Sequence, residues 1–513
     1  MDNAYFIGID VGTQGVRVVM VDEDGIICGS HQTDFELTED SRREQDPAIW
    51  WQATLKGLRE LTCSLKAKNI DLKKLKALSV TSTSGTVLPL DKDHNPLHPA
   101  IMYSDDRSAA QGDRCMEVAK KYQPHGYHGF NASSGLSKMV WFVETFAEKA
   151  ARIHLWAHAT DYIIGKLSDA WGITDQTNAL KSGYDLQSNC WPDYLTRYLP
   201  LKASWLPAVY PSGKVIGSLT AAVGEAIGLP QRQAGDLLVA AGMTDGCASQ
   251  VASGAIEPGS WNTTIGTTLV IKGVTRTPIK DPEDRLYNHL HPEGYWMPGG
   301  ASNTGADWVS TLFAREQLTA LSAAASALIP TNRLVYPLLK KGERFPFKAA
   351  GAEGFGLEAL IGKRQANDMQ ADIDDQQRAL LLAAGMEGVA YIEKMAFALI
   401  YNLSGEKVDR VYTAGGGSNN PTWLTIRSSV LGVPVRKMEN VSGAVGAAML
   451  AASKTYFNGL SEAVTQMART AAQYLPDPDL VAGYQSGYSN FVSALAAKGY
   501  IRESDYLAGG PAV

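Results

Sequence analysis

The sequence lacks several features that would each have narrowed its function. Its five cysteines, Cys28, Cys63, Cys115, Cys190 and Cys247, are scattered singly with no CxxC spacing. That argues against a zinc site and against a disulfide framework, and it fits a reducing cytoplasm. No apolar run approaches the roughly 20 residues of a membrane span, and the first predicted strand begins too early to leave room for a charged, apolar and cleavable leader. The expectation is a cytoplasmic protein with no membrane partner. Long basic runs are missing as well: 47 Lys and Arg stand against 53 Asp and Glu, a net charge of −6 with a pI near 5.9. Nucleic acid is therefore not an expected partner. The absence of GxxxxGK[ST] excludes a P-loop kinase, and there is no HExxH or clustered His/Cys signature. The nine histidines are scattered; His94 and His98, around a predicted turn, read as solvated rather than catalytic.

What is present is a soluble, globular composition, 45% hydrophobic and 19% charged, in a chain of 513 residues. That is too long for one core, so two large domains or more are expected. The organising stretch is Phe6-Ile7-Gly8-Ile9-Asp10-Val11-Gly12-Thr13-Gln14-Gly15-Val16-Arg17-Val18. An apolar run, a glycine-rich bend and a β-branched run predict a hairpin. At its bend Gly12 and Gly15 allow close backbone approach, and Thr13, Gln14 and the exposed amides can donate to phosphate oxygens. Asp10, ending a buried strand, could hold a hydrated magnesium ion. A second copy follows half a chain later in Ser260-Trp261-Asn262-Thr263-Thr264-Ile265-Gly266-Thr267-Thr268-Leu269. Two such hairpins suggest two similar domains acting on one nucleotide.

Between them, Asp46-Pro47 predicts a helix start, with Trp51, Leu55, Leu58, Leu61 and Leu65 at near-helical spacing. The acidic and aromatic cluster around it could line a sugar site or simply cap a helix over core tryptophans. A buried strand over residues 75–81 delivers the small, hydroxylated run Thr81-Ser82-Thr83-Ser84-Gly85-Thr86, and Tyr103-Ser104-Asp105-Asp106-Arg107 follows. Asp105 is a candidate sugar contact, since carboxylates accept well from vicinal hydroxyls; its alternative is a salt bridge with Arg107. A strand over residues 237–241 ends on Gly242-Met243-Thr244-Asp245, where ligands gather at strand ends. In the second half, a helix over residues 378–401 and a strand over 408–413 lead to Ala414-Gly415-Gly416-Gly417-Ser418-Asn419. Three glycines allow an adenine ring to lie on the backbone, and Asn419 can read its edge. The small-residue helix opening at Gly443-Ala444-Val445-Gly446 reads as packing, and Gly509-Gly510-Pro511 as a frayed end.

The paired hairpins resemble those of the sugar-kinase, chaperone and actin superfamily. With Glu44-Gln45-Asp46-Pro47, Pro99-Ala100-Ile101-Met102, Ser137-Lys138-Met139-Val140-Trp141, Thr174-Asp175, Gly242-Met243-Thr244-Asp245, Gly342-Glu343-Arg344, Gly354-Phe355-Gly356-Leu357 and the glycine loop in order, the chain resembles the FGGY carbohydrate kinases. That resemblance implies two ribonuclease-H-like α/β domains around a central cleft, about residues 1–252 for the sugar and 253–513 for ATP, with Ser253-Gly254 near the hinge. It implies ATP and Mg2+ as cofactors and Asp245 as catalytic base. Nucleotide would be held by Asp10, Gly12, Thr13, Gln14, Arg17, Gly266, Thr267, Thr268, Gly415, Gly416, Gly417 and Asn419, and sugar by Thr83, Ser84, Gly85, Asp105 and Asp245. Asp10 and Asp245 would hold the metal. Homodimers are common in the family, although no segment marks an interface.

The implied activity is ATP-dependent phosphorylation of a small sugar, with a ketopentose, D-xylulose or D-ribulose, favoured. A polyol or sugar-acid kinase for glycerol, ribitol or gluconate is the alternative within the family, and an actin-like ATPase, chaperone or sugar-binding regulator the alternative outside it. One departure bears on the sugar. Xylulose members carry Gln-Met-His-Gly where this chain has residues 81–85, and the hydroxylated replacement looks closer to ribulose-type members.

Overall fold

The computed structural model describes residues 4–127, 129–229, 231–357 and 374–507; the terminal Gly509-Gly510-Pro511 lies outside them. The chain forms two compact units, each described by itself. The first comprises Met1–Ile256, His289–Tyr295 and Asn440–Arg469, and the second Glu257–Asn288, Trp296–Glu439 and Thr470–Val513. The sequence divides the chain once, near residue 252; the compact units exchange a later segment, so that residues 440–469 fold with the N-terminal half.

The first unit is built on a six-stranded sheet: β1 (Tyr5–Gly12), β2 (Gly15–Asp22), β3 (Ile27–Asp34), β4 (Leu75–Ser82), β5 (Val215–Ser218) and β6 (Leu238–Thr244), in the order β5-β6-β4-β1-β2-β3. β1 pairs antiparallel with β2 and parallel with β4, and β4 parallel with β6. A central strand is covered on both faces, which is why β1 reads as a nearly unbroken apolar run, with Phe6, Ile7, Ile9 and Val11 all buried. One covering element is helix α1 (Pro47–Ala67), started by the Asp46 carboxylate accepting from the Ala48 amide with Pro47 in its first turn. Its Trp50, Leu58, Leu61 and Leu65 join the core of Ile7, Ile9, Val18, Leu78 and Val80, each contributing about 1.5–3 kcal/mol by leaving water. β6 extends to Thr244 rather than ending at residue 241, and helix α2 (Asp245–Ala252) starts at once. A small sheet of Glu44–Gln45, Ala100–Ile101, Val87–Leu90 and Leu155–His158, and a two-stranded one of Ile173–Asp175 and Ala208–Tyr210, also belong to the unit.

The second unit repeats the plan with β7 (Ser260–Ile265), β8 (Leu269–Gly273), β9 (Tyr287–Leu290), β10 (Trp296–Ser302), β11 (Arg410–Ala414), β12 (Val435–Met438) and β13 (Thr470–Tyr474), in the order β9-β10-β8-β7-β11-β12-β13. β7 pairs antiparallel with β8 and parallel with β11, and β11 parallel with β12. Taken from the third strand of each hairpin sheet inward, the two orders and directions coincide. Helix α3 (Asp375–Ser404), longer at both ends than its sequence pattern suggests, is buried along most of its length, and helix α4 (Pro421–Leu431) follows the glycine loop.

Helix α5 (Gly443–Ala452) belongs to the first unit and is buried throughout. A Cβ added to Gly8 of β1 would lie 1.7 Å from the Ala444 carbonyl oxygen, and one on Gly446 1.8 Å from that of Ala248. Backbone-to-backbone contact of this kind requires small residues on both sides. The helix is therefore packing, as its composition suggests, and it packs on the organising strand.

Candidate active site

In the first unit the register places the polar groups. Asp10 stands opposite Arg17 on β2 and Thr81 on β4, and Thr81 stands opposite Met243, two residues before Asp245. Asp10 and Asp245 thus arise from the ends of strands on either side of β4. The Asp10 carboxyl is pushed up to about 7 by burial and by the charge of Asp245, against the opposing pull of Arg17. The start of α5 touches it: a Cβ on Gly443 would come within 2.8 Å of Asp10 Oδ2. Sequence reading gave no sign that Gly443 lies against Asp10, because the contact joins positions more than 400 residues apart.

The first hairpin bend is fixed from below. Gln45 Nε2 donates to the Thr13 carbonyl at 2.9 Å, Trp50 Nε1 donates to Gln45 Oε1 at 2.7 Å, and the Phe35 amide donates to the Gln14 carbonyl. The Gln45 and Trp50 pair therefore holds the bend, and Trp50 is a core residue. Gln14 and Arg17 are exposed, Gly12 and Thr13 half-buried. Arg17 is bonded through Nε and Nη2 to Gln32 Oε1.

Of the hydroxylated run, Thr83 Oγ1 bonds Thr86 Oγ1 at 2.8 Å, while the buried Ser84 Oγ has no partner among the described residues. Gly85 sits at φ +89, where a Cβ would meet the Ser133 carbonyl at 2.2 Å, so only glycine fits that turn. Asp105 is 2% exposed and makes the salt bridge with Arg107, which donates from its backbone N, Nε and Nη2. Burial raises the Asp105 carboxyl, but the Arg107 hydrogen bonds outweigh it and leave the group below its ordinary value. Arg107 also bonds Glu44 and lies 4.5 Å over the Trp141 ring. Buried Lys138, pushed down to about 8 by burial, donates to the carbonyls of Asp105 and Ala132. His98 corrects a sequence expectation: it is buried rather than solvated, packed edge-on to Phe142, with Nδ1 2.8 Å from the Pro99 carbonyl oxygen.

In the second unit Gly266, Thr267 and Thr268 form the β7–β8 bend, which the Ala306 amide pins through the Gly266 carbonyl. Gly415 leaves β11 at φ +81, and its added Cβ would meet the Ile265 carbonyl oxygen at 2.4 Å. The glycine loop is thereby seated on the end of β7, beside that bend. Around Gly416 the protein leaves the place of a Cβ open, whereas Gly417 is buried against Ile265. Asn419 is exposed, its Oδ1 accepting from Lys437 Nζ at 2.9 Å; Lys437 carried no sequence signal of this role.

Two sheets of one topology, each opened by a glycine-containing hairpin, with paired carboxylates in one and a glycine loop in the other, define a two-domain phosphotransferase of the actin and hexokinase type. Comparison with known proteins makes the class specific. The models for the N-terminal and C-terminal domains of the FGGY family of carbohydrate kinases match residues 5–252 and 261–455, and the chain belongs to this family. It is 26% identical over 500 residues to the xylulose kinase of Bacillus subtilis, covering 94% of this chain and 95% of that one. It is 22% identical over 530 residues to the gluconokinase of the same organism, covering 99% of each. The crystal structure of a xylulose kinase from Rhodospirillum rubrum superposes with a TM-score of 0.80 at 25% identity, covering 96% and 99%. The fold is the two-domain, ribonuclease-H-like fold of sugar kinases, and the family's reaction is phosphorylation of a small sugar by ATP. Among the described residues, no helix is long and apolar enough to cross a membrane.

Proposed function

We propose that this protein transfers the γ-phosphoryl group of ATP to a hydroxyl of a small open-chain ketose, a ketopentose such as D-xylulose or D-ribulose being favoured. The observation that carries this reading is the pair Asp10 and Asp245 on strand ends flanking β4, near enough for the charge of one to raise the other. Two crowded carboxylates suit a divalent cation, which reverses their mutual repulsion. Asp10 and Asp245 are the residues that would hold Mg2+, and when bound the ion neutralises charge on the phosphates. Asp245 orients the attacking hydroxyl and takes its proton as the bond to phosphorus forms. The two bends, with Thr13, Gln14, Thr267 and Thr268, donate to phosphate oxygens, and Gly415, Gly416, Gly417 and Asn419 receive the adenosine.

The choice of sugar rests on charge. Arg107 is matched by Asp105 and Glu44, and Lys138 is committed to two carbonyls. A neutral ketose fits this balance better than the carboxylate of gluconate. Ser84, Thr83, Gly85 and the Asp105–Arg107 pair form the proposed sugar side, where the small hydroxylated loop favours ribulose over xylulose.

The test is ADP release with ATP and Mg2+ over D- and L-ribulose, D- and L-xylulose, ribitol, glycerol and gluconate. One strongly preferred ketopentose is the expected result. A preference for gluconate would overturn the charge argument, and release that is slow and indifferent to sugar would overturn the kinase reading in favour of an ATPase or regulator.

A further inference from the structure

The residue before Asp245 is held in an unusual way. Along β6 the register against β4 shifts between Ala240 and Met243, and Gly242 lies so close to the neighbouring strand that a Cβ there would meet the Val80 carbonyl oxygen at 2.0 Å. Irregularities of this kind redirect the chain beside functional groups and loosen the ladder that would otherwise hold it. The peptide unit joining Met243 to Thr244 is instead gripped by a side-chain hydroxyl on each edge. Thr81 Oγ1 donates to the Met243 carbonyl at 2.8 Å, and the Thr244 amide donates to Thr177 Oγ1 at 2.8 Å. All of these groups are buried.

Thr177 is itself fixed. Its hydroxyl donates to Asp175 Oδ1 at 2.6 Å, and that same oxygen accepts from the amides of Thr177 and Asn178; Asn178 Nδ2 donates to Asp175 Oδ2 at 2.6 Å. Because the single hydroxyl proton is committed to the carboxylate, the oxygen's lone pairs face the Thr244 amide. Thr244 is the N-cap of α2, and Asp245 is that helix's first residue, so the gripped peptide sets where the chain enters the turn that carries Asp245.

We infer that Thr177, aimed by Asp175, is a positioning residue for Asp245: it fixes the Met243–Thr244 peptide, the last backbone unit before the residue that bears the proton-accepting carboxylate. The inference rests on the proposed role of Asp245, and the two can fail separately. A misplacement of the order of 1 Å in a catalytic group can cost about 10²-fold. Thr177→Val, which keeps the shape and removes the acceptor, is expected to lower kcat about 10- to 100-fold with the KM for ATP unchanged, and Thr177→Ser to restore most of it. In the Asp245→Asn background, Thr177→Val should cost little more, since the group it positions is already disabled.

The experiment is this double-mutant cycle, read as ADP release with the preferred sugar and accompanied by thermal melts. Near-normal turnover in Asp245→Asn would remove the base and leave Thr177 nothing to position. A full loss in Asp245→Asn with normal kcat in Thr177→Val would overturn the inference alone. Multiplicative losses in the double variant, or a rise in the KM for ATP as large as the fall in kcat, would assign Thr177 a general structural role and also overturn it. Should Thr177→Val fail to fold, Thr177→Ala, read against Thr177→Ser in the same cycle, makes the same distinctions.

Discussion

The two hairpin sheets share strand order and direction, yet their bends carry different chemistry. The first carries Asp10 two residues before the end of β1, with a second carboxylate, Asp245, two strands away, and its bend is tied down by Gln45 and Phe35. The second has no carboxylate on its strands from Ser260–Ile265 or Leu269–Gly273; it offers Asn262, Thr263, Thr264 and a glycine loop seated on Ile265. One topology thus serves two tasks. In the first unit two half-buried carboxylates, Asp10 and Asp245, lie close enough for one charge to raise the other, the feature on which their proposed metal and proton roles rest. In the second unit the side chains at the bend are small and hydroxylated, the feature on which its proposed nucleotide role rests.

The difference can be broken at its charged end first. Asp245→Asn should leave folding and ATP binding intact and lower kcat by about 10²–10⁴, the usual scale for a general base; single-turnover ADP release measures it, and near-normal turnover would take Asp245 out of the reaction.

Asp10 gives a smaller effect with a defined sign. Its carboxyl is raised from 3.8 to about 7 in the fold, so its neutral form contributes stability that is complete below pH 3.8 and is lost as pH rises through about 7. Asp10→Asn stays neutral throughout. Its stability relative to the parent, without divalent cation, should therefore rise by on the order of 2 kcal/mol from about pH 5 to about pH 8. Urea unfolding at the two pH values decides it, and a pH-independent difference would mean that Asp10 is not held neutral.

The nucleotide side is sharpened by Gly415→Ala. A left-handed backbone at φ +81 and a clash with the Ile265 carbonyl would cost about 1–2 kcal/mol in strain and displace the loop. The KM for ATP is expected to rise about tenfold, the factor that 1.4 kcal/mol represents, with the pH dependence of stability unchanged. Lys437→Ala frees the exposed Asn419 amide and should raise the KM for ATP only about two- to threefold, as surface contacts contribute little. A larger change than that of Gly415→Ala would invert the roles assigned to backbone and side chain there.

Much of this was legible in the chain. Both hairpins, the start of α1 at Asp46-Pro47, the strand leading to Asp245 and the glycine loop announce themselves through short-range patterns of β-branched runs, caps and glycines, whose physics is local. Asp105 was read as a sugar contact with a surface salt bridge to Arg107 as its alternative; the pair with Arg107 forms with Asp105 buried, and the sugar contact is part of the proposal. His98 was read as solvated because it lies around a predicted turn; Phe142, which packs edge-on against it, lies 44 residues away.

The sequence by itself therefore determined the elements, the two hairpin bends and the identity of the polar groups at the strand ends, since these follow from each residue's own conformational and chemical preferences. Tertiary structure alone decided that α5 packs on Gly8 and touches Asp10, that Gln45 holds the first bend, and that Thr81 and Thr177 grip the peptide before Asp245. Those are contacts between segments far apart in the chain, set by which surfaces can approach closely enough to exclude water, and no local pattern encodes them.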